Sequence, residues 1–260
     1  GPNPHHGWGR MAVQHARALA QQGIASLRFD LSGLGDGQTE ARSPREMVYH
    51  PDHRADLNAA IDLVQAQGSA RIIVSGLCAG GHLAFHGAHD DPRIDIVIAV
   101  NVLKFLWKET DDLDRYEQEA LQSASRYRAQ ALSGAGWRRL ISGEIGPGKV
   151  WRVARLMAAG TCSALLSRFG ITPAPDPDAA QLRAMVRAIS RRGGQLTLAF
   201  AEGDASQDEA EHHFGPDCRA IAGLPGLAIE SLGPSDHELS HEKARDRLLI
   251  LTAEHALGLR

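Results

Sequence analysis

An apolar, strand-like run in this chain ends abruptly at a cysteine enclosed by glycines. Residues 71–81 read RIIVSGLCAGG, and a helix-like stretch follows from His82 to His89. A strand that turns sharply into a helix holds the residue at the turn in a strained backbone conformation, and flanking glycines leave room for the two backbones to pass. We expect Cys78 at this turn to stand above a sheet, at the N-terminus of a helix.

This position favours a reactive thiol at Cys78. The free N–H groups and the positive dipole end of a helix N-terminus stabilise an anion, so a thiol there is pushed toward thiolate. In the better-known version of this turn the residue is serine, and with cysteine the expected chemistry is attack by sulfur on a carbonyl carbon. The alternative interpretation is a buried and inert cysteine at the end of a strand.

Composition and charge exclude several other classes of protein. The 260 residues carry 28 Lys and Arg against 31 Asp and Glu, a net charge of −3, which argues against a nucleic-acid partner bound by bulk electrostatics. The cysteines Cys78, Cys162 and Cys218 have no CxxC spacing, so neither a disulfide framework nor a zinc knuckle is indicated. We expect a soluble, cytoplasmic protein without a membrane span, because no run of 18 apolar residues occurs.

Short β-branched runs alternate with helical patterns along the chain. This alternation predicts an α/β fold in which a mostly parallel central sheet is flanked by helices. The predicted strands are residues 24–30, 71–76, 94–101, 196–202 and 227–232, and the first predicted helices are residues 10–22 and 52–67.

The middle of the chain has a different pattern, with long amphipathic helices broken by glycines and prolines. We interpret it as a helical lid inserted between two strands of the sheet. The expected organisation is residues 1–103 as the first part of the core, residues 104–191 as the lid and residues 192–260 as the second part of the core. An ordinary second helical layer of the core is the alternative, since length alone does not separate the two.

Two residues after later strands can complete a catalytic triad with Cys78. Asp204 follows the strand at 196–202, and His237 follows the strand at 227–232, in the chain order nucleophile, acid, base. A histidine there could act as general base and the carboxylate could orient it. Asp208 is a second candidate for the acid. The alternatives are a turn aspartate and a surface-loop histidine.

An oxyanion generated by attack on a carbonyl needs N–H donors. The backbone N–H of Ala79, directly after the nucleophile, is the first expected donor. The second usually comes from a loop after an earlier strand, and the residues before Trp8 are rich in proline, which cannot donate. Asn3 is the expected local contributor.

The segment Gly76–Gly80, together with Asp204 and His237, resembles the α/β-hydrolase superfamily. The segment Gly23–Asp36 looks like the strand and loop that precede the nucleophile there. The cysteine resembles that of dienelactone hydrolases and polyhydroxyalkanoate synthases, whereas the RFD and GLGD segments resemble serine aminopeptidase-like hydrolases, including cysteine-bearing members associated with exopolysaccharide and exosortase systems. Relatives have further strands ahead of this chain's first residue, so the resemblance implies a fold that lacks its N-terminal strands.

One histidine pattern competes with this interpretation. Residues His237 to His241 match the HExxH zinc-protease motif, and Glu254 could be a third ligand. The motif requires both histidines inside one helix, whereas the Gly-Pro-Ser-Asp run before His237 places it at or before the helix start. We therefore expect no zinc site here.

Other histidines are expected to be structural. His82, His86 and His89 share one face of the helix after Cys78, and we expect them to be solvated or hydrogen-bonded rather than to bind a metal. The pairs at positions 5–6 and 212–213 have no supporting carboxylate pattern in the sequence.

The sequence therefore predicts a hydrolase acting on a small-molecule ester or thioester through a covalent acyl group on Cys78. No metal or organic cofactor is required by this mechanism. An acyltransferase with the same triad, a non-catalytic α/β-hydrolase-like protein and a zinc peptidase are the competing hypotheses. The sequence makes no prediction of oligomeric state.

Overall fold

A computed structural model describes residues 5–37, 48–69, 71–108, 110–113 and 176–259. Among the helices in these ranges, none combines the length and apolar character needed to cross a bilayer. The described elements are α1 (Met11–Gln21), α2 (His53–Ala66), β1 (Ile73–Leu77), α3 (Ala79–Asp90), β2 (Ile96–Val100), α4 (Pro177–Arg191), β3 (Gln195–Glu202), α5 (Ala205–Phe214), β4 (Leu227–Pro234) and α6 (Glu242–Ala256).

The four described strands form one parallel sheet in the order β1-β2-β3-β4. Each strand pairs with the next along the chain, and helices or longer connections cross between them. Because the strands are parallel, their carboxyl ends meet at the same edge of the sheet. The predicted α/β architecture is confirmed, and the residues that follow each strand are brought to a common edge.

The core has two layers, one on each face of the sheet. Strand β2 is fully buried, and its alternate residues point to opposite layers. Val97 and Ala99 pack in the layer that includes residues of α2, α3 and α4, whereas Ile96, Ile98 and Val100 pack in the layer that includes residues of α1 and α6. Helices on both faces explain why β2 is a continuous apolar run rather than an alternating one.

Helix α4 belongs to the core although it lies within the range that the sequence analysis assigned to the lid. Asp176 caps its N-terminus by accepting the N–H of Asp178, and Pro177 occupies its first turn. Its apolar face packs in the same layer as α3 through Leu182 and Val186. Phe105, at the start of the predicted lid range of residues 104–191, is also part of this core layer. Residues 109 and 114–175 of that range fall outside the described residues.

The prediction of a strand over residues 24–30 is wrong. This segment has no strand structure, and the side chains of Leu27 and Phe29 are 41% and 38% exposed. Residues of this segment and of β1 both contribute to the lining of one cavity. The segment has the composition of a strand, but a strand also needs a neighbouring backbone within hydrogen-bonding distance.

Candidate active site

Cys78 lies at the sharp turn between the end of β1 and the start of α3. Its backbone has φ 58° and ψ −118°, a conformation that a residue with a side chain rarely adopts. Its N–H donates a hydrogen bond of 2.8 Å to the carbonyl of Val100 at the end of β2. This bond anchors the turn to the neighbouring strand and holds the strained residue in place.

The glycine two positions before the cysteine permits this turn. A Cβ atom added to Gly76 would overlap the carbonyl group of Gly80. Gly81 is crowded in a similar way by Val102 and by the carbonyl oxygen of Gly76. Helix α3 therefore starts in direct contact with the strand that precedes it, as the glycine pattern predicts.

Asp204 and His237 meet at the carboxyl edge of the sheet. Asp204 follows β3 and caps α5, and His237 lies in a turn after β4. The Nδ1 atom of His237 is 3.0 Å from Oδ2 and 3.2 Å from Oδ1 of Asp204. The same carboxylate accepts hydrogen bonds from the backbone and hydroxyl of Ser206. Asp208, the second candidate acid, lies one helical turn further along α5.

Asn101 is a site residue that the sequence analysis did not identify. It is fully buried after β2, with a positive φ of 45°. Its Nδ2 donates to the carbonyl of His237 at 2.8 Å, and its Oδ1 accepts the N–H of Ala201 at 2.8 Å, where the pairing of β3 with β4 is irregular. Asn101 therefore ties the end of β2 to the end of β3, which precedes Asp204, and to the turn that carries His237. An asparagine directly after a wholly apolar strand was the available signal.

The other ring nitrogen of His237 is available to the thiol. Its Nε2 atom is buried and has no hydrogen-bond partner in the described part of the chain. Burial alone would lower the pKa of His237, but the hydrogen bond that its ring donates to Asp204 and the interaction with Cys78 outweigh burial and raise this pKa to about 10. Asp204 and Cys78 therefore both favour the protonated form of this ring.

The pKa values of two thiols in the described structure are shifted in opposite directions. Burial opposes ionisation of Cys78, but the interactions with His237 and with the backbone N–H of Ala79 outweigh it and lower the pKa of this thiol. Burial, followed by the charges of Glu211 and Asp217, raises the pKa of Cys218 to about 12. Of these two thiols, Cys78 is the one whose pKa is lowered.

A cavity of about 460 Å³ opens at Cys78. The lining of this cavity includes Cys78, Ala79 and His237, together with residues of β1. The apolar side chains around it include Met11, Leu19, Leu34, Leu103 and Leu248. A second cavity, of about 670 Å³, shares Val48 and Ala79 with the first.

Of the two residues predicted to donate hydrogen bonds to the oxyanion, Ala79 lies among the described residues and Asn3 does not. Ala79 is the first residue of α3, so its N–H has no carbonyl four residues earlier within the helix and points toward the sulfur of Cys78. Asn3 lies outside the described residues.

The histidines of the competing motifs lie outside a shared helix or are hydrogen-bonded to backbone carbonyls. His237 lies in a turn, and α6 begins only at Glu242, so His237 and His241 are not on successive turns of one helix. The rings of His82 and His86 donate hydrogen bonds of 2.8 Å to the carbonyls of Lys104 and Phe105. Burial, then the neighbouring His86, lowers the pKa of His82 to about 3, so this ring stays neutral.

Comparison with solved structures identifies the fold. The alpha/beta hydrolase GrgF from Penicillium sp. sh18 matches with a TM-score of 0.51 at 17% identity, covering 99% of this chain and 87% of GrgF. VinJ matches with a TM-score of 0.53 at 14% identity, covering 100% of this chain and 88% of VinJ. A hypothetical protein from Pseudomonas aeruginosa matches with a TM-score of 0.51 at 18% identity, covering 94% of this chain and 79% of that protein. No family model and no curated protein matches the sequence.

Proposed function

We propose that this chain, which has the fold of an α/β hydrolase, hydrolyses an ester or thioester through a covalent acyl group on Cys78. One observation carries the proposal most directly. The ring of His237 is fixed by Asp204 at 3.0 Å through Nδ1, while its buried Nε2 has no other partner in the described structure. A base oriented in this way beside an activated thiol is the arrangement that nucleophilic catalysis requires.

The reaction begins from the thiolate of Cys78 and the protonated ring of His237. The sulfur attacks the substrate carbonyl carbon, and the N–H of Ala79 donates to the oxyanion that forms. As this intermediate collapses, Nε2 of His237 gives its proton to the departing alcohol or thiol, and the acyl group stays on sulfur as a thioester.

Release of the acyl group reverses the proton transfer. The neutral ring of His237 takes a proton from water, and the resulting hydroxide attacks the thioester carbonyl. Collapse of this second intermediate frees a carboxylic acid and restores the thiolate of Cys78 beside the protonated ring. Asp204 keeps the ring in the correct tautomer and stabilises its positive charge throughout.

The cavity indicates the class of substrate. The apolar side chains around Cys78 favour a small molecule with an apolar acyl chain, because burial of that chain contributes about 25 cal/mol per Å² of apolar surface. The proposed substrate is therefore an uncharged acyl ester or acyl thioester rather than a polyanion.

The decisive experiment is intact mass spectrometry after incubation with a panel of p-nitrophenyl esters and acyl thioesters. We expect one acyl adduct on Cys78, mapped by peptide analysis, and its decay with release of carboxylic acid. Cys78→Ala should abolish the adduct, whereas Cys218→Ala should retain it. Ester hydrolysis at the wild-type rate by Cys78→Ala would overturn the proposal.

A further inference from the structure

A second cluster of polar side chains lies where α5 ends and α4 begins. Asp176, His212 and His213 each offer one atom able to bind a metal ion, and these three atoms lie within 4.8 Å of one another. Asp176 caps the N-terminus of α4, and the two histidines are in the last turn of α5. The fold thus supplies the carboxylate that the adjacent histidines lack in the sequence.

His213 provides an independent indication of a ligand. Its side chain is only 6% exposed, and its Nε2 lies 3.2 Å from Oε1 of Glu209. A carboxylate accepts hydrogen bonds, so Nε2 carries the proton in the neutral ring and Nδ1 has the free lone pair. That Nδ1 atom is buried and has no hydrogen-bond partner in the described residues. A buried acceptor without a partner is costly and calls for an explanation.

The other two side chains, those of Asp176 and His212, lie close together without a hydrogen bond between them. Oδ1 of Asp176 accepts the N–H of Asp178 and caps α4, so Oδ2 is the oxygen that faces the cluster. Oδ2 lies 3.8 Å from Nε2 of His212, which is too far for a hydrogen bond. Two ligands of a tetrahedral zinc ion are roughly 3.3 Å apart, so a small movement of exposed side chains would close the site.

We propose that Asp176, His212 and His213 bind a divalent transition-metal ion of the zinc class, through Oδ2, Nε2 and Nδ1 respectively. A fourth, tetrahedral position is then open to water. Glu209 accepts the N–H of the buried ligand His213, which fixes the tautomer and orientation of a metal-binding histidine in the usual way. Oε1 of Glu209 also accepts the N–H of Phe105 and is thereby held in place.

The position of this site indicates a structural role. A bound ion would join the start of α4 to the end of α5, the helix that Asp204 caps. Metal binding to the folded chain stabilises it, because the ligands are brought together only by folding. The cluster of His5, Asp30 and Asp36 contrasts with it, since Nδ1 of His5 is already hydrogen-bonded to Asp30.

The test is calorimetric titration of chelator-treated protein with zinc chloride, in the wild type and in a Cys78→Ala background that removes the reactive thiol as a competing ligand. We expect one equivalent to bind in both backgrounds and to raise the melting temperature. His212→Ala and Asp176→Asn should abolish this binding. His212 is 67% exposed, and asparagine still caps a helix, so both variants keep the fold, as circular dichroism checks.

Two further variants separate a metal site from non-specific binding. Glu209→Gln should weaken zinc binding about 10–100-fold, because it removes the charged partner of His213. His89→Ala, which changes an exposed histidine outside the cluster, should leave the affinity unchanged. Zinc affinity of the wild type equal to that of the His212→Ala, Asp176→Asn double variant would overturn the proposal, whatever the outcome of the acylation experiment at Cys78.

Discussion

The two nitrogens of the His237 ring have separate tasks. Nδ1 donates to Asp204, which leaves Nε2 as the only ring atom that can exchange a proton with the thiol. We predict that Asp204→Asn lowers kcat/KM for a p-nitrophenyl ester by about 10²–10⁴-fold, because the ring loses its orientation and its charge stabilisation. Asparagine also caps helices, so the melting temperature should change little. A variant with wild-type kinetics would exclude Asp204 as the acid.

The dependence of kcat/KM on pH tests the proposed pairing of the Cys78 thiolate with the protonated His237 ring. The pKa of Cys78 is lowered below the usual 9.0, and the pKa of His237 is raised to about 10, so the thiolate and the protonated ring coexist between these values. We predict that kcat/KM rises with pH as Cys78 ionises and falls above about pH 10 as His237 loses its proton. In Asp204→Asn the alkaline fall should move to lower pH, because the carboxylate no longer favours the protonated ring.

The two thiols provide an internal comparison within one chain. We predict that iodoacetamide at neutral pH modifies Cys78 first and leaves Cys218 unmodified in the folded protein, because only the first has a lowered pKa. His237→Ala should slow modification of Cys78, since burial then opposes ionisation without the charged partner. Peptide mapping of the alkylated protein measures both rates. Equal rates at Cys78 in the variant and the wild type would show that His237 does not activate the thiol.

In the proposed reaction Asn101 has the part of a positioning residue, because it touches His237 and not the substrate. Asn101→Gly keeps a residue that tolerates the φ of 45° but leaves the carbonyl of His237 and the N–H of Ala201 without their buried partner. Each unsatisfied group costs about 1–3 kcal/mol. We predict lower stability in urea and a fall in kcat with KM nearly unchanged. Asn101→Ala should be less stable than Asn101→Gly, because alanine is strained at positive φ.

At the scale of elements, strand β1 and helix α3 are in close contact beside Cys78. We predict that Gly76→Ala destabilises the protein by about 1–3 kcal/mol or more, because its Cβ overlaps the carbonyl of Gly80. Gly80→Ala is the matched control. A Cβ there meets nothing within 4 Å, and alanine favours a helix by about 1 kcal/mol over glycine, so stability should be kept or increased. Urea unfolding of both variants measures the difference.

The sequence predicted those elements whose signal is local. The runs that became β1 to β4 are apolar and bounded by turn residues, and Asp204 and His237 follow their strands directly. Residues 24–30 have the same composition, but a strand depends on a partner that the sequence does not specify. Local pattern therefore identifies a segment that could be a strand, and only the fold decides whether it pairs.

The parts of the sites that the sequence did not reveal depend on contacts between distant residues. The Asn101 side chain can form its two hydrogen bonds only because the ends of β2 and β3 and the turn at His237 converge. In the same way, His212 and His213 obtain a carboxylate only because the fold brings the start of α4 to the end of α5. Spacing along the chain cannot identify such pairs.

Across the sheet, protection from solvent is uneven. Strand β2 is paired on both sides, and its side chains are fully buried, whereas β1 pairs with β2 alone among the described residues. We predict that β2 amides exchange with deuterium only on global unfolding, and that amides of residues 24–30 exchange much faster, since no strand pairing protects them. Hydrogen-exchange mass spectrometry resolves these segments. Slow exchange over 24–30 would indicate strand pairing there.

The crowding at Gly76 couples the packing of the turn to the electrostatics of the site. A larger residue at position 76 would force α3 to move away from β1. The amide groups at the helix start would then retreat from Cys78 and stabilise a negative charge there less well. A substitution at this position is therefore expected to weaken the proposed chemistry without changing any of the side chains of Cys78, Asp204 and His237.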